Sequence, residues 1–119
     1  MYRFFNANRF GARVNDCVVR SISLAEGNSW DTTYDKLSQL AKEKGTLLDD
    51  VNFVEEYLDE RYKRACHRSK IIKDFIKEHP VGIYLITMPN HITCCIDGTL
   101  FDTFDCTNRE MWCSWEIDR

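Results

Sequence analysis

The sequence predicts a single α+β domain over residues 1–119, with N-terminal helices packed on a C-terminal antiparallel β-sheet. Three observations predict this class. Apolar residues repeat at helical spacing before His79-Pro80, β-rich runs follow it, and Asp97-Gly98 separates two of those runs. A chain of 119 residues with 44% hydrophobic residues fits one domain with a buried core of its own.

Two helices are predicted before residue 46. Asn15 or Asp16 would cap the first helix, which ends at Gly27. The apolar positions on its inner face are Val18, Ile22 and Ala25. Ser29 would cap the second helix, and Gly45 would end it. The residues expected on its inner face are Tyr34, Leu37, Leu40 and Ala41.

Two further helices are predicted from amphipathic spacing, over about residues 50–61 and about residues 69–79. The expected inward residues of the earlier one are Val51, Val54 and Leu58. Those of the later one are Ile72, Phe75 and Ile76. Both helices are expected to serve the core.

Strands are predicted over residues 81–88, 91–96 and 99–104. Asp97-Gly98 favours a two-residue type I′ turn between the last two, since both residues tolerate a positive φ. A final edge strand is expected to contain Trp112, Trp115 and Ile117. Such an edge could pair with a second copy, and the sequence leaves the oligomeric state open.

Composition excludes several classes of partner. The net charge is −3, and no block of five like charges occurs, so binding to nucleic acid through phosphate neutralisation is not expected. No run approaches the ~18 apolar residues that cross a bilayer, and the first residues lack a signal-peptide core. We therefore expect a cytoplasmic protein with no membrane partner and with its six cysteines reduced.

Neither a metal nor a cofactor is expected. Cys66, His67, Cys106 and Cys113 are irregularly spaced, and the chain has no Cys-x-x-Cys pair of the kind that zinc sites use. Adjacent residues of a strand face opposite sides, so Cys94 and Cys95 cannot form a chelating pair. They are expected to lie in the core and the cleft wall.

Cys17 is the candidate nucleophile. It follows two capping residues and so falls in the first turn of the first predicted helix. The free N–H groups and partial positive charge at a helix N-terminus favour the thiolate, which is the reactive form of cysteine. The alternative interpretation is a small buried core residue.

A base and an orienting acid are predicted on the hairpin. With a two-residue turn, paired positions of the two strands place His91 opposite Phe104 and Asp102 opposite Thr93, all on one face. Asp105 points to the other side. Asp102 lies diagonally from His91 at a Cβ distance of roughly 7 Å, within reach of the far imidazole nitrogen. The alternative is a strand histidine and a surface acid with no shared role.

These residues also carry a family resemblance. The segments concerned are Asn15-Asp16-Cys17-Val18-Val19-Arg20-Ser21-Ile22, Trp30-Asp31-x-x-Tyr34, His79-Pro80-x-Gly82, His91, Asp97-Gly98 and Phe101-Asp102-Thr103-Phe104-Asp105. Together they resemble small bacterial and bacteriophage proteins of the papain-like cysteine peptidase superfamily. The resemblance implies a papain-like fold and a catalytic triad of Cys17, His91 and Asp102.

The oxyanion donor departs from the papain-like pattern. Such peptidases usually place a Gln a few residues before the cysteine, and no Gln precedes Cys17. Asn6, Asn8 and Asn15 are the substitutes, with Asn8 favoured because it lies in the lead-in to the helix. The alternative for all three is a turn or a cap.

Two functions are consistent with these residues. One is a thiol hydrolase that cleaves a peptide, isopeptide or other amide bond through a thioester on Cys17. The other is a catalytically inactive papain-like domain that binds a protein. Both imply a protein or peptide partner. The resemblance to bacteriophage proteins would place that partner in the bacterial host cytoplasm, where a role against host defence is conceivable.

Overall fold

The structure is a computed structural model that describes all 119 residues as a compact α+β domain. The four helices are α1 (Cys17–Glu26), α2 (Trp30–Glu43), α3 (Val51–Asp59) and α4 (Ile72–Glu78). The six strands are β1 (Tyr2–Phe4), β2 (Arg64–Cys66), β3 (Ile83–Met88), β4 (His91–Ile96), β5 (Thr99–Asp102) and β6 (Cys113–Ile117). No helix has the length and apolar character needed to cross a membrane.

The six strands form one mixed sheet in the order β1-β5-β4-β3-β6-β2. The predicted C-terminal antiparallel sheet is confirmed for β3 to β6, but β1 adds a parallel pair with β5 and β2 adds a strand from before α4, so the whole sheet is mixed. The predicted final edge strand is wrong, because β6 lies between β3 and β2. β1 and β2 have three residues each, too few for a period-two pattern to identify them.

The hairpin of β4 and β5 has the predicted register. Cys94 pairs with Phe101 and Ile96 with Thr99, as a two-residue turn requires. The turn residues Asp97 and Gly98 have φ values of 48° and 79°, which is the left-handed backbone of a type I′ turn.

The core lies on both faces of the sheet. Buried side chains of α1, α2 and α3 pack with Cys94, Leu85 and Trp115 on one face. Those of α4 pack with Cys95 and Ile86 on the other face. The prediction that Cys94 and Cys95 face opposite sides is confirmed, but both lie in the core and neither forms the wall of a cleft. The first of these clusters holds α1 against β4.

Two predicted caps are confirmed, but the predicted side-chain cap of α1 by Asn15 or Asp16 is wrong, since Asp16 makes no cap hydrogen bond. Ser29 accepts a hydrogen bond from the N–H of Thr32, and Gly27 ends α1 in the left-handed conformation, as predicted. Two residues predicted to face the core are exposed, Tyr34 by 44% and Val51 by 57%. Trp112, predicted to lie in the final strand, precedes β6 and is 49% exposed. Tyr34 stacks on Trp30 instead of entering the core.

Two cysteines are paired. Cys66 of β2 and Cys113 of β6 occupy opposite positions in the register and form a disulfide, so the expectation of six reduced thiols is wrong for them. Their separation of 47 residues hid the pairing, since only the sheet brings β2 beside β6. Four cysteines remain free: Cys17, Cys94, Cys95 and Cys106.

Candidate active site

Cys17 lies where the sequence predicted it, as the first residue of α1. It is half-buried and lines a cleft of about 490 Å³, between the segment that leads into α1 and the turn that leads into β4. The other three free cysteines are buried. Cys17 is thus the one free thiol that a molecule in the cleft could reach.

The N-terminus of α1 is left without a side-chain cap. Asp16 occupies the cap position but makes no cap hydrogen bond. Its carboxylate accepts hydrogen bonds from Arg20 Nε at 2.7 Å and from Trp30 Nε1 at 3.0 Å instead. The N–H of Cys17 donates to no acceptor in the chain and stays available at the positive end of the helix.

His91 and Asp102 form a buried hydrogen-bonded pair. Nε2 of His91 lies 2.6 Å from Oδ2 of Asp102, and the two side chains are 7% and 2% exposed. The N–H of Thr103 donates to Oδ1 of Asp102 at 2.7 Å, which helps to fix the carboxylate. The ring of Phe104 packs against the imidazole at a centroid distance of 4.7 Å. Asp102 therefore orients the imidazole, and Nδ1 of His91 is left for another partner.

The pKa values shift in the direction of an ion pair. Burial of the Cys17 thiol raises its pKa, but hydrogen bonds from His91 and the Ile92 backbone outweigh burial and leave the pKa below its usual value. Burial by itself lowers the pKa of His91. Hydrogen bonds to Asp102, Cys106 and Cys17 outweigh burial, so the pKa of His91 is raised above its usual value. Burial likewise raises the pKa of Asp102, but hydrogen bonds from His91, Thr93 and the Thr103 backbone, together with the charge of His91, outweigh burial and lower it. These shifts favour the charged form of each group: a thiolate on Cys17, an imidazolium on His91 and a carboxylate on Asp102.

Arg20 is a site residue outside the predicted triad, and its place one turn after Cys17 predicts either support of the thiolate or a pair with an acid. Its Nε binds Oδ1 of Asp16, and its Nη1 binds Oδ1 of Asp102 at 3.0 Å, with the guanidinium only 11% exposed. The planar guanidinium of Arg20 binds the carboxylates of Asp16 and Asp102, which are 86 residues apart in the sequence. A lysine has a single ammonium group and could not bind both carboxylates in a fixed geometry. The spacing of Asp16 and Arg20 by one helical turn predicts the first contact, but nothing local predicts the second.

The three candidate oxyanion asparagines occupy different places. Asn15 is exposed and lines the cleft beside Cys17. Asn8 is buried outside the cleft lining, where its carbonyl oxygen accepts from Phe10 N and its amide donates to Asp16. Asn6 binds Ala12 O and Asn8 N, which closes a turn. The structure thus brings only Asn15 to the cleft.

Asp105 is separate from the site, as predicted. Its carboxylate accepts from the N–H and hydroxyl of Thr107, in a turn after β5. Burial plays little part there, and the hydrogen bonds from Thr107 lower the pKa of this exposed carboxyl. Asp102 alone is placed to orient His91.

One group of side chains has the composition of a metal site. His91, Asp102 and Cys106 each have a ligand-type atom within 4.8 Å of the others. Two ligands of a tetrahedral zinc are about 3.3 Å apart at bond lengths near 2.0 Å. The 2.6 Å between His91 and Asp102 is a hydrogen-bond distance, and Arg20 already neutralises the carboxylate, so the three residues do not fit a zinc ion.

Comparison with known proteins adds no assignment. The chain has no significant match among protein-family models, curated proteins or solved structures. The functional argument therefore depends on the residues of the cleft.

Proposed function

We propose that this protein is a papain-like thiol hydrolase that cleaves a peptide, isopeptide or other amide bond with Cys17, His91 and Asp102. The observation that carries the proposal is the buried hydrogen bond between His91 and Asp102, beside a thiol at a helix N-terminus. A nucleophile, a base and a group that orients the base are the three parts that thiol catalysis requires. A cleft gives substrate access to the first two, since Cys17 and His91 both line it.

The reaction begins with attack of the Cys17 thiolate on the carbonyl carbon of the substrate amide. The π-bond electrons move to the oxygen, and the N–H of Cys17 at the start of α1 is the available donor for that oxyanion. As the tetrahedral intermediate collapses, the C–N bond breaks and Nδ1 of His91 gives its proton to the leaving nitrogen. The products of this half-reaction are an amine and a thioester on Cys17.

Hydrolysis of the thioester completes the cycle. Neutral His91 takes a proton from water, and the resulting hydroxide attacks the thioester carbon. The C–S bond then breaks, the carboxylic acid product leaves, and the thiolate and imidazolium are restored. Asp102 keeps Nε2 of His91 occupied throughout, so that Nδ1 faces the reaction.

One observation favours the second candidate, a binding domain without turnover. The amide of Asn8 is committed to Asp16 and lies outside the cleft, so the best sequence candidate for a side-chain oxyanion donor is directed elsewhere. Loss of one oxyanion donor costs about 10²–10³ in rate. A domain that only binds its partner would tolerate that loss.

The rate of Cys17 alkylation by iodoacetamide as a function of pH tests the proposal. We expect an apparent pKa below the ~8.5 of a free thiol, and we expect His91→Ala to slow the reaction at pH 6 by about a hundredfold because thiolate becomes scarce. Cys17→Ala supplies the background from the buried thiols, and near-ultraviolet circular dichroism verifies that both variants fold. A wild-type profile centred near the free-thiol value and insensitive to His91→Ala overturns the hydrolase and favours the binding domain.

A further inference from the structure

The cleft is positively charged, whereas the protein as a whole has a negative net charge. The charged side chains of its lining, apart from Cys17 and His91, are Arg13, Asp16, Arg20 and Arg109. Asp16 and Arg20 neutralise each other at 2.7 Å. Arg13 and Arg109, which we call the cleft arginines, form no ion pair with any carboxylate of the chain. A protein of net charge −3 thus presents an unneutralised positive cleft.

Aromatic rings hold both cleft arginines. The guanidinium of Arg13 lies over the ring of Phe4, with 5.6 Å between its central carbon and the ring centroid. The guanidinium of Arg109 lies over Phe104 at 5.1 Å, and Phe104 in turn packs on His91. Attraction between the cation and the ring restrains each guanidinium, and its N–H edges form no ion pair within the chain. Those edges form the bidentate geometry that binds a carboxylate.

The cleft arginines come from two different segments of the chain. Arg13 belongs to the segment that leads into α1 and Cys17, whereas Arg109 follows β5 and reaches the His91 side through Phe104. No unpaired acid lines the cleft to oppose them. Outside the cleft, Arg9 pairs with Asp31 and Arg64 with Asp59, whereas Arg3 and Arg68 are exposed without an ion pair. The cleft arginines are therefore distinguished by their place beside Cys17 and His91.

We infer that the substrate carries a carboxylate next to the bond that is cleaved, bound by Arg13 and Arg109. This inference rests on the proposed function, since it names the class of substrate that Cys17 attacks. The carboxylate has two sources, an acidic side chain or the free C-terminus of a peptide. Each would present two oxygens to a guanidinium edge.

Active-site alkylation with matched reagents tests the inference. Iodoacetyl-glutamate amide and iodoacetyl-glutamine amide have nearly the same shape and differ in the side-chain charge, so the ratio of their rates at Cys17 measures the preference for a side-chain carboxylate. Iodoacetyl-glycine and iodoacetyl-glycine amide measure the preference for a terminal carboxylate. We expect the acidic member of at least one pair to react about threefold to tenfold faster at low ionic strength, and the preference to shrink in 1 M salt.

Variants then assign the preference to these side chains. The double variant Arg13→Glu with Arg109→Glu should bring the ratio below one, and the double glutamine variant should leave it between one and the wild-type value. The double variant Lys63→Glu with Arg68→Glu is the matched control, since both residues are exposed cations without an ion pair outside the cleft and the net charge changes by the same amount, and its ratio should equal that of the wild type.

Failure of this inference is distinct from failure of the proposed function. Wild-type ratios of one for both reagent pairs overturn the inference, however fast Cys17 reacts. Ratios that the cleft double glutamate variant and the control double glutamate variant change equally also overturn it, because the effect would then come from net charge. Slow alkylation by neutral iodoacetamide at pH 6 overturns the hydrolase, whatever the ratios are.

Discussion

The two ends of α1 each hold a buried network of charged and polar groups. At the N-terminal end, Arg20 joins Asp16 to Asp102, which binds His91 beside Cys17. The network at the C-terminal end centres on Glu26, whose carboxylate is 9% exposed. Its three hydrogen-bond donors are Lys36 Nζ at 2.9 Å, Tyr57 Oη at 3.0 Å and Tyr62 Oη at 2.7 Å.

The difference between these networks lies in proton chemistry and access. Both satisfy a buried carboxylate, which is the usual condition for burying a charge. The Glu26 network contains only an amine and two phenols as its donors, and the pKa values of Lys36, Tyr57 and Tyr62 are raised further from neutrality. The His91 network contains a thiol whose pKa is lowered and an imidazole whose pKa is raised, so that the proton of the thiol passes to the imidazole, and a cleft reaches both groups. Buried charge alone therefore does not identify a site.

Arg20→Ala should have the largest effect on stability. It leaves Asp16 and Asp102 without their shared cation in a buried setting, and we expect the free energy of unfolding to fall by about 3–5 kcal/mol. Urea unfolding measures this loss. Arg20 also lowers the pKa of Cys17 through its charge, so the alkylation profile should move to higher pH in any folded fraction.

Arg20→Lys separates charge from geometry in the same network. A lysine keeps the positive charge but can hold only one of the two carboxylates closely, so we expect part of the stability loss and a smaller shift of the alkylation profile. If Arg20→Ala and Arg20→Lys both unfold and react as the wild type does, Arg20 is not needed to hold Asp102 in place.

Glu26→Gln tests the other end of the helix. The amide keeps the shape of the carboxylate but loses charge-assisted hydrogen bonds, so we expect a destabilisation of about 1–3 kcal/mol. The pH profile of Cys17 alkylation should match that of the wild type, because Glu26 does not line the cleft. A shift of the alkylation profile in Glu26→Gln would contradict the separation of the two networks and would show that they are coupled through α1.

Tyr62→Phe should have the smallest effect, a loss of about 1 kcal/mol at neutral pH from one hydrogen bond to Glu26. Burial and the neighbouring Glu26 raise the pKa of the folded-state phenol, so its stabilising contribution is complete below the unfolded pKa of about 10 and declines as the pH rises above it. The stability difference between wild type and variant should therefore narrow above pH 10, as followed by urea unfolding. A difference that widens with pH would contradict the raised pKa.

The sequence alone determined the features that depend on local geometry. Caps and helical periodicity placed Cys17 at the start of α1 and Gly27 at its end. Asp97-Gly98 and the period of two fixed the register of β4 and β5, and with it the face that His91 and Asp102 share. These outcomes follow from backbone rules that act over fewer than about ten residues.

The tertiary structure decided every contact between distant parts of the chain. Packing of α1 against β4 is what brings Cys17 to His91, and the sequence implied that meeting only through the family resemblance. The parallel pairing of β1, the Cys66–Cys113 disulfide and the bond from Arg20 to Asp102 join residues at least 47 positions apart. Asn8 had the right residue type for an oxyanion donor, and the fold directs it to Asp16. Local sequence patterns cannot predict which distant residues pair. The free energy that favours these contacts comes from burial and from partners that only the assembled core brings together.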